Sequence, residues 1–95
     1  MALKLEQIHI VISGRVQGVG FRYATQREAM RQGLTGWVRN TPEGTVEVVA
    51  EGPTAVIEGF LAWCHRGPTL AKVAKVMLRH REEISSPEFP RFEIR

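Results

Sequence analysis

Residues 8–22 read IHIVISGRVQGVGFR, an alternating apolar run followed by a glycine-rich loop that ends on an arginine. Isoleucine occupies every second position of 8–12, which is typical of a half-buried strand and predicts strand one over 7–13. The segment YATQREAMRQ at 23–32 has good helix formers and no breaker, and Gly33 follows where a left-handed helix cap belongs. The stretch therefore predicts a strand, a bare loop and a helix.

The rest of the chain predicts four more strands. LTGWVRN at 34–40 and TVEVVAEG at 45–52 are separated by turn residues, which is the pattern of a hairpin. A fourth strand is predicted over 71–80, followed by a loop over 82–88. The final segment FPRFEIR at 89–95 predicts a short strand that its proline confines to a sheet edge.

A second helix is predicted between two Gly-Pro pairs, Gly52-Pro53 and Gly67-Pro68. Its apolar stripe, at i, i+4, i+7 and i+8, consists of Val56, Phe60, Trp63 and Cys64. The alternating residues of strand four are Ala74, Val76 and Leu78. Both tryptophans, Trp37 and Trp63, are expected in the core, and Cys64 is interpreted as a core residue rather than a nucleophile.

The order βαββαβ with an extra strand predicts an α+β fold, a ferredoxin-like sandwich with two helices on one face of a mixed sheet. With 95 residues, the chain is interpreted as a single domain over 1–95. If the first βαβ unit is a right-handed crossover, strands one and two are parallel and their carboxyl ends lie at the same edge. The glycine-rich loop after strand one and Asn40 after strand two then become neighbours.

The composition is that of a soluble globular protein, with 43% hydrophobic and 24% charged residues. The apolar runs are too short to span a bilayer, and the first residues, MALKLEQ, lack the pattern of a secretory signal. We therefore expect a cytoplasmic protein with no membrane partner.

The inventory of reactive side chains excludes several kinds of chemistry. The chain has ten arginines, three lysines and ten glutamates but no aspartate, which excludes an aspartyl-phosphate route and a Ser-His-Asp triad. A single cysteine excludes an internal disulfide and a cysteine-built metal site. The three histidines have no ligand spacing, so neither a metal nor a cofactor is expected.

The glycine-rich loop has the properties of an anion site. Glycines let successive backbone N–H groups turn inward, and the helix that follows adds unpaired N–H groups and a partial positive charge. Arg22, in the first turn of that helix, contributes a planar fork of donors that suits phosphate oxygens. A tight strand-to-helix turn with a solvated Arg22 is the alternative. The sequence GVGFRY fits neither the dinucleotide fingerprint nor a Walker A loop.

The motifs GRVQGVGFR and GLTGWVRNTPEGTVEVVAEG together resemble the paired signatures of the acylphosphatase family, and the resemblance runs from Ile8 to Ile94. The chain differs from the family pattern at two positions. Glu43 stands where the family usually has an aspartate before the turn glycine, and Gln32 stands where a leucine often precedes the glycine after helix one. Both are turn or helix-end positions, so they bear on local stability rather than on chemistry.

The resemblance implies hydrolysis of small acyl phosphates by water, without a metal or a covalent intermediate, and gives Arg22 and Asn40 separate roles. Arg22 would bind the substrate phosphate, and Asn40 would orient the attacking water. The implied phosphate-binding backbone is that of Arg15, Val16, Gln17, Gly18, Val19, Gly20 and Phe21. The leaving group is a carboxylate with a pKa of roughly 4, which departs without a general acid. Inorganic phosphate or sulfate is expected to compete with the substrate.

Two other classes of function use a similar frame. RNA-recognition modules share the βαββαβ order, but they carry stacking aromatics on strand three, and TVEVVAE has none, so no nucleic-acid partner is expected. The second alternative is a regulatory module that binds phosphate or carbamoyl phosphate, like the acylphosphatase-type domain of hydrogenase-maturation carbamoyltransferases. A freestanding monomeric enzyme is the simpler interpretation.

Overall fold

The structure, a computed structural model, describes residues 4–95, which form five strands and two helices. In chain order these are β1 Leu5–Arg15, α1 Phe21–Arg31, β2 Thr35–Asn40, β3 Val46–Pro53, α2 Thr54–Arg66, β4 Lys72–Ile84 and β5 Phe92–Ile94. The order confirms the predicted βαββαβ frame with an extra strand. α1 begins two residues earlier than predicted, and Gly33 after its end has the predicted positive φ, 74°.

All five strands belong to one mixed sheet, in the order β4-β1-β3-β2-β5. β3 lies between β1 and β2 and is antiparallel to both, so β1 and β2 run in the same direction. β5 pairs in parallel with β2 at the sheet edge, as its proline predicted. The carboxyl ends of β1 and β2 therefore lie at the same end of the sheet. This confirms that the glycine-rich loop and Asn40 are neighbours, as the crossover predicted.

The core lies between the sheet and the two helices. Ile8, Ile10 and Ile12 of β1 are fully buried, as their alternation predicted. α1 contributes Phe21, Thr25 and Ala29, and α2 contributes Ile57, Phe60 and Cys64. The predicted stripe of α2 was wrong at two of its four positions, because the buried residues are spaced i, i+3 and i+7 from Ile57. Val56 and Trp63 are only partly buried against the core.

β4 differs from its prediction in length and in its buried face. It continues to Ile84, so the first three residues of the predicted 82–88 loop are strand. Two register shifts against β1 leave Ala74 and Arg79 without partners, and such bulges interrupt the alternation of faces. Val73 and Val76 pack against the core, whereas Ala74 is exposed and Leu78 is 49% exposed on this edge strand.

Trp37 is not a core residue, contrary to the prediction. Its neighbours in β2, Gly36 and Val38, are buried, and Trp37 itself is half-buried on the other face of the sheet. There its ring lies 6.4 Å from that of His9, and the Arg95 guanidinium lies 5.3 Å from its centroid. Because side chains alternate across a strand, burial of Val38 excludes Trp37 from the same core.

None of the helices in residues 4–95 has the length and apolar character needed to cross a membrane.

Candidate active site

The loop between β1 and α1 is shaped by glycines in left-handed conformations. Gly18 and Gly20 have φ angles of 74° and 76°. A Cβ added at either position would meet nothing within 4 Å, so glycine is needed there for the backbone conformation and not because of crowding. Left-handed residues that alternate with ordinary ones, as Gly18 and Gly20 do on either side of Val19, allow backbone N–H groups to turn toward one side of a loop.

α1 begins directly at the end of this loop, with Gly20 as its N-cap residue. The amide of Ala24 donates to the Gly20 carbonyl at 3.0 Å, which closes the first helical turn. Gly20 has no side chain to cap the helix, and the first turn carries no acidic residue. Its leading N–H groups and its positive dipole end therefore face the loop.

A cavity of about 240 Å³ lies between this helix end and the end of β2. It is lined by Val16, Gly18, Gly20, Phe21, Arg22, Tyr23, Asn40 and Ile94. Arg22 and Asn40, 18 positions apart in the sequence, thus share one cavity. Arg22 is exposed and forms no ion pair with a carboxylate of the described chain, unlike Arg31, Arg39 and Arg81.

Not every residue of the predicted phosphate loop lines the cavity. Arg15 is the last residue of β1, pairs with Lys72 and is exposed. Val19 is partly buried against the core. Gln17 is half-buried, and its Nε2 group donates to the carbonyl oxygens of Thr41 and Thr45, each at 2.9 Å. These three residues shape or anchor the loop, whereas Val16, Gly18, Gly20 and Phe21 line the cavity.

Asn40 is followed by a turn that is closed by several hydrogen bonds. The Thr41 amide donates to the Thr45 carbonyl at 2.9 Å, and the Gly44 amide donates to the Thr41 carbonyl at 3.1 Å. The hydroxyls of Thr41 and Thr45 lie 2.6 Å apart. The turn therefore holds Asn40 at the carboxyl end of β2 with little freedom. Glu43, which departs from the family pattern, is exposed in this turn.

The sequence interpretation missed Tyr23 and Ile94 as lining residues. Tyr23 follows Arg22 on α1 and is 60% exposed. Ile94 reaches the cavity because β5 pairs with β2, opposite Val38, and it is 41% exposed. Tyr23 could have been predicted from the sequence, because it follows Arg22 in the first turn of α1. No short-range pattern indicates that the last strand returns to this edge of the sheet.

Cys64 and His9 lie outside the cavity and have structural surroundings. Cys64 is fully buried, and burial raises the pKa of its thiol, with Glu28 adding to the shift. His9 pairs with Glu47 at 2.6 Å on the face of the sheet that lacks helices. Within residues 4–95, no three histidine, cysteine or glutamate side chains come together in a way that could hold a metal ion.

Comparison with known proteins gives this geometry a family context. A family model for acylphosphatases matches residues 8–94. The chain belongs to the acylphosphatase family. An acylphosphatase of Methylococcus capsulatus is 46% identical over 90 residues, which cover 95% of this chain and 96% of that relative. Family membership identifies the protein as an enzyme, as the sequence predicted.

Solved structures of the family have the same fold. An acylphosphatase from Coxiella burnetii matches with a TM-score of 0.85 and 38% identity, over 97% of this chain and 94% of that one. Full-length HypF, in a phosphate- and nucleotide-bound form, matches with a TM-score of 0.82 and 28% identity. That match covers 99% of this chain but only 12% of HypF, so the same domain also occurs as a small part of a larger protein.

Proposed function

We propose that this acylphosphatase hydrolyses the carboxyl–phosphate bond of small acyl phosphates by in-line attack of water, releasing a carboxylate and phosphate. One observation carries the proposal: Arg22, Asn40 and the glycine-rich helix N-terminus line a single cavity. The remaining features that support it are the family membership and the absence of aspartate from the chain.

Phosphate binding is assigned to the loop and to Arg22. Backbone N–H groups at the loop and helix end are donors that need no reorganisation when charge develops on the phosphoryl oxygens. Arg22 adds two parallel donors and a full positive charge. A cation at a helix N-terminus is unfavourable for the helix, and a bound phosphoryl group would reverse that effect.

Asn40 is assigned to the attacking water. Its carboxamide does not titrate in the working range of pH and cannot act as a base, so its role is to orient the water by hydrogen bonding. The proton of the water passes to a phosphate oxygen of the substrate. The phosphorus–oxygen bond to the carboxylate breaks as the new bond to water oxygen forms, and the bonding electron pair leaves with the carboxylate.

This scheme needs neither a general acid nor a covalent intermediate. The leaving carboxylate is a weak base with a pKa of roughly 4 and departs unprotonated. The only cysteine, Cys64, is buried in the core away from the cavity lining. A monomeric state and a cytoplasmic location stay predictions from the sequence.

The substrate class is tested by comparing acyl phosphates with phosphate monoesters. We expect turnover of acetyl, carbamoyl and benzoyl phosphate that is unchanged by EDTA, and very slow turnover of alkyl phosphates, whose alkoxide leaving groups require protonation. The readout is release of inorganic phosphate. Loss of activity with EDTA, or equal rates on monoesters, would overturn the scheme.

The likeness to HypF favours one alternative, a module that binds phosphate or carbamoyl phosphate without turning it over. The same assay separates the two functions. Binding of phosphate by calorimetry, combined with no hydrolysis of any acyl phosphate, would favour the binding module.

A further inference from the structure

The side chain of Gln17 connects the two halves of the candidate site. Gln17 lies between buried Val16 and left-handed Gly18, in the loop proposed to bind phosphate. Its Nε2 group donates to the carbonyl oxygens of Thr41 and Thr45, each at 2.9 Å. Thr41 is the residue directly after Asn40. One amide group thus joins the loop to the turn that holds Asn40.

The loop has few other polar connections to the fold. Residues 16–19 make no backbone–backbone hydrogen bond within the described chain. Val16 and Val19 hold the loop against the core by apolar contact. Because apolar contact is non-directional, it leaves the position of the loop along the ends of the strands weakly determined. Because hydrogen bonds are directional, the two bonds from Gln17 supply the missing constraint.

The accepting carbonyls also belong to the bonds that close the turn. The Thr41 carbonyl accepts from the Gly44 amide, and the Thr45 carbonyl accepts from the Thr41 amide. Both protons of the Gln17 amide are needed, since the two acceptors lie on different residues. Substitution of Gln17 by methionine would preserve the length of the side chain but remove both hydrogen-bond donors. Substitution by asparagine would keep both donors on a side chain that is shorter by one methylene group.

We propose that Gln17 is a positioning residue for hydrolysis: it fixes the distance between the phosphate-binding loop and Asn40, and so the line along which water attacks phosphorus. The inference rests on the proposed function. A displacement of about 1 Å between reacting groups lowers rates by roughly 100-fold. Gln17 itself need not touch substrate, and its backbone place in the loop is unchanged by substitution of the side chain.

The kinetic test is a double-mutant cycle with Asn40. Gln17→Met is expected to lower kcat for benzoyl phosphate at least 10-fold while the inhibition constant of inorganic phosphate changes less than about threefold. In an Asn40→Ala background, Gln17→Met should lower kcat less than twofold further, because the group that it positions is already gone. Gln17→Asn is a second variant, expected to act in the same direction, should the methionine variant fold poorly.

A matched control is Gln32→Met, which removes another half-buried glutamine amide that bonds Glu28, at the opposite end of α1. It should leave kcat unchanged. Equal losses from Gln17→Met in both backgrounds, or an unchanged kcat, would overturn the positioning role. Failure of the wild type to hydrolyse any acyl phosphate would instead overturn the proposed function.

A second readout does not depend on turnover. Asn40 is the only asparagine in the chain, so selective ¹⁵N-asparagine labelling gives one side-chain NH₂ pair in an NMR spectrum. With inorganic phosphate bound, Gln17→Met should shift or broaden that pair, and Gln32→Met should not. An unchanged Asn40 signal in folded Gln17→Met would contradict the inference.

Discussion

Arg22 lines the cavity in a position that is unfavourable for its own helix, which makes its substitution informative. Arg22→Ala should lower kcat/KM about 100-fold or more, roughly 3 kcal/mol, and weaken inhibition by phosphate, because the role proposed for Arg22 is to bind the phosphoryl group in both ground and transition states. Lysine should restore little, since it lacks the planar fork. Steady-state kinetics measure both effects.

Thermal unfolding provides the control for the Arg22 variant. Removal of a positive charge from a helix N-terminus should not lower the melting temperature in the absence of anions. A large drop in that temperature would identify Arg22 as a structural residue and remove the catalytic interpretation of any lost activity.

Asn40 is expected to act on water alone, so binding and turnover should separate. Asn40→Ala should lower kcat by about 100-fold while phosphate inhibits nearly as in the wild type. Circular dichroism and a melting curve check that the 41–45 turn survives. A folded variant that binds phosphate and turns over at close to the wild-type rate would show that another group orients the water.

At the scale of the elements, Glu51 of β3 ties the segment before β5 to the sheet. Its buried carboxylate accepts hydrogen bonds from the Glu88 and Phe89 amides, and from the side chains of Gln7 and Thr35, at 2.9–3.1 Å. Burial raises the pKa of Glu51, but these hydrogen bonds outweigh burial and hold the pKa below its ordinary value. The charged form of this carboxylate is therefore part of the fold.

Stability should depend on pH through this group. A carboxyl whose pKa is lower in the folded state stabilises the fold above its unfolded pKa, and the contribution is lost as pH falls through the folded value. Glu51→Gln should lower the free energy of unfolding by roughly 2 kcal/mol at pH 7. The difference from the wild type should shrink below about pH 4 in urea titrations. Exposed Glu83→Gln is the control, and a difference independent of pH would contradict this role.

The elements differ in how far the sequence determined them. The alternation in β1 and the glycines at both ends of α1 are local signals that the sequence shows directly. The right-handedness of βαβ crossovers then predicts that Arg22 and Asn40 lie near each other, at the carboxyl ends of β1 and β2. The two bulges in β4 depend on pairing with β1, so Ala74 and Leu78 were assigned wrongly. The prediction for Trp37 was wrong because the apolar character of a residue does not show whether it lies on the face of β2 that packs against the helices. The bonds of Gln17 span 24 and 28 positions and have no local signature.

For the whole molecule, a ligand that binds only the folded state raises the melting temperature by mass action. At ten times its dissociation constant, inorganic phosphate should stabilise this 95-residue domain by about 1.4 kcal/mol, or roughly 5–10 °C. Scanning calorimetry in phosphate and in chloride at equal ionic strength measures the shift. Arg22→Ala should reduce it strongly, and an equal shift in that variant would place the bound anion elsewhere.

The last strand ends at the cavity. Ile94 lines it, and the Arg95 amide donates to the Val38 carbonyl at 2.8 Å, two residues before Asn40. Leu5, at the other end of β1, is roughly 34 Å from Arg15 along that strand. A dye, a solid support or a fused protein joined after Arg95 would therefore lie close to this cavity. Attachment at the Leu5 end of β1 places the added group far from the cavity, and immobilised or tagged preparations are best built from that side.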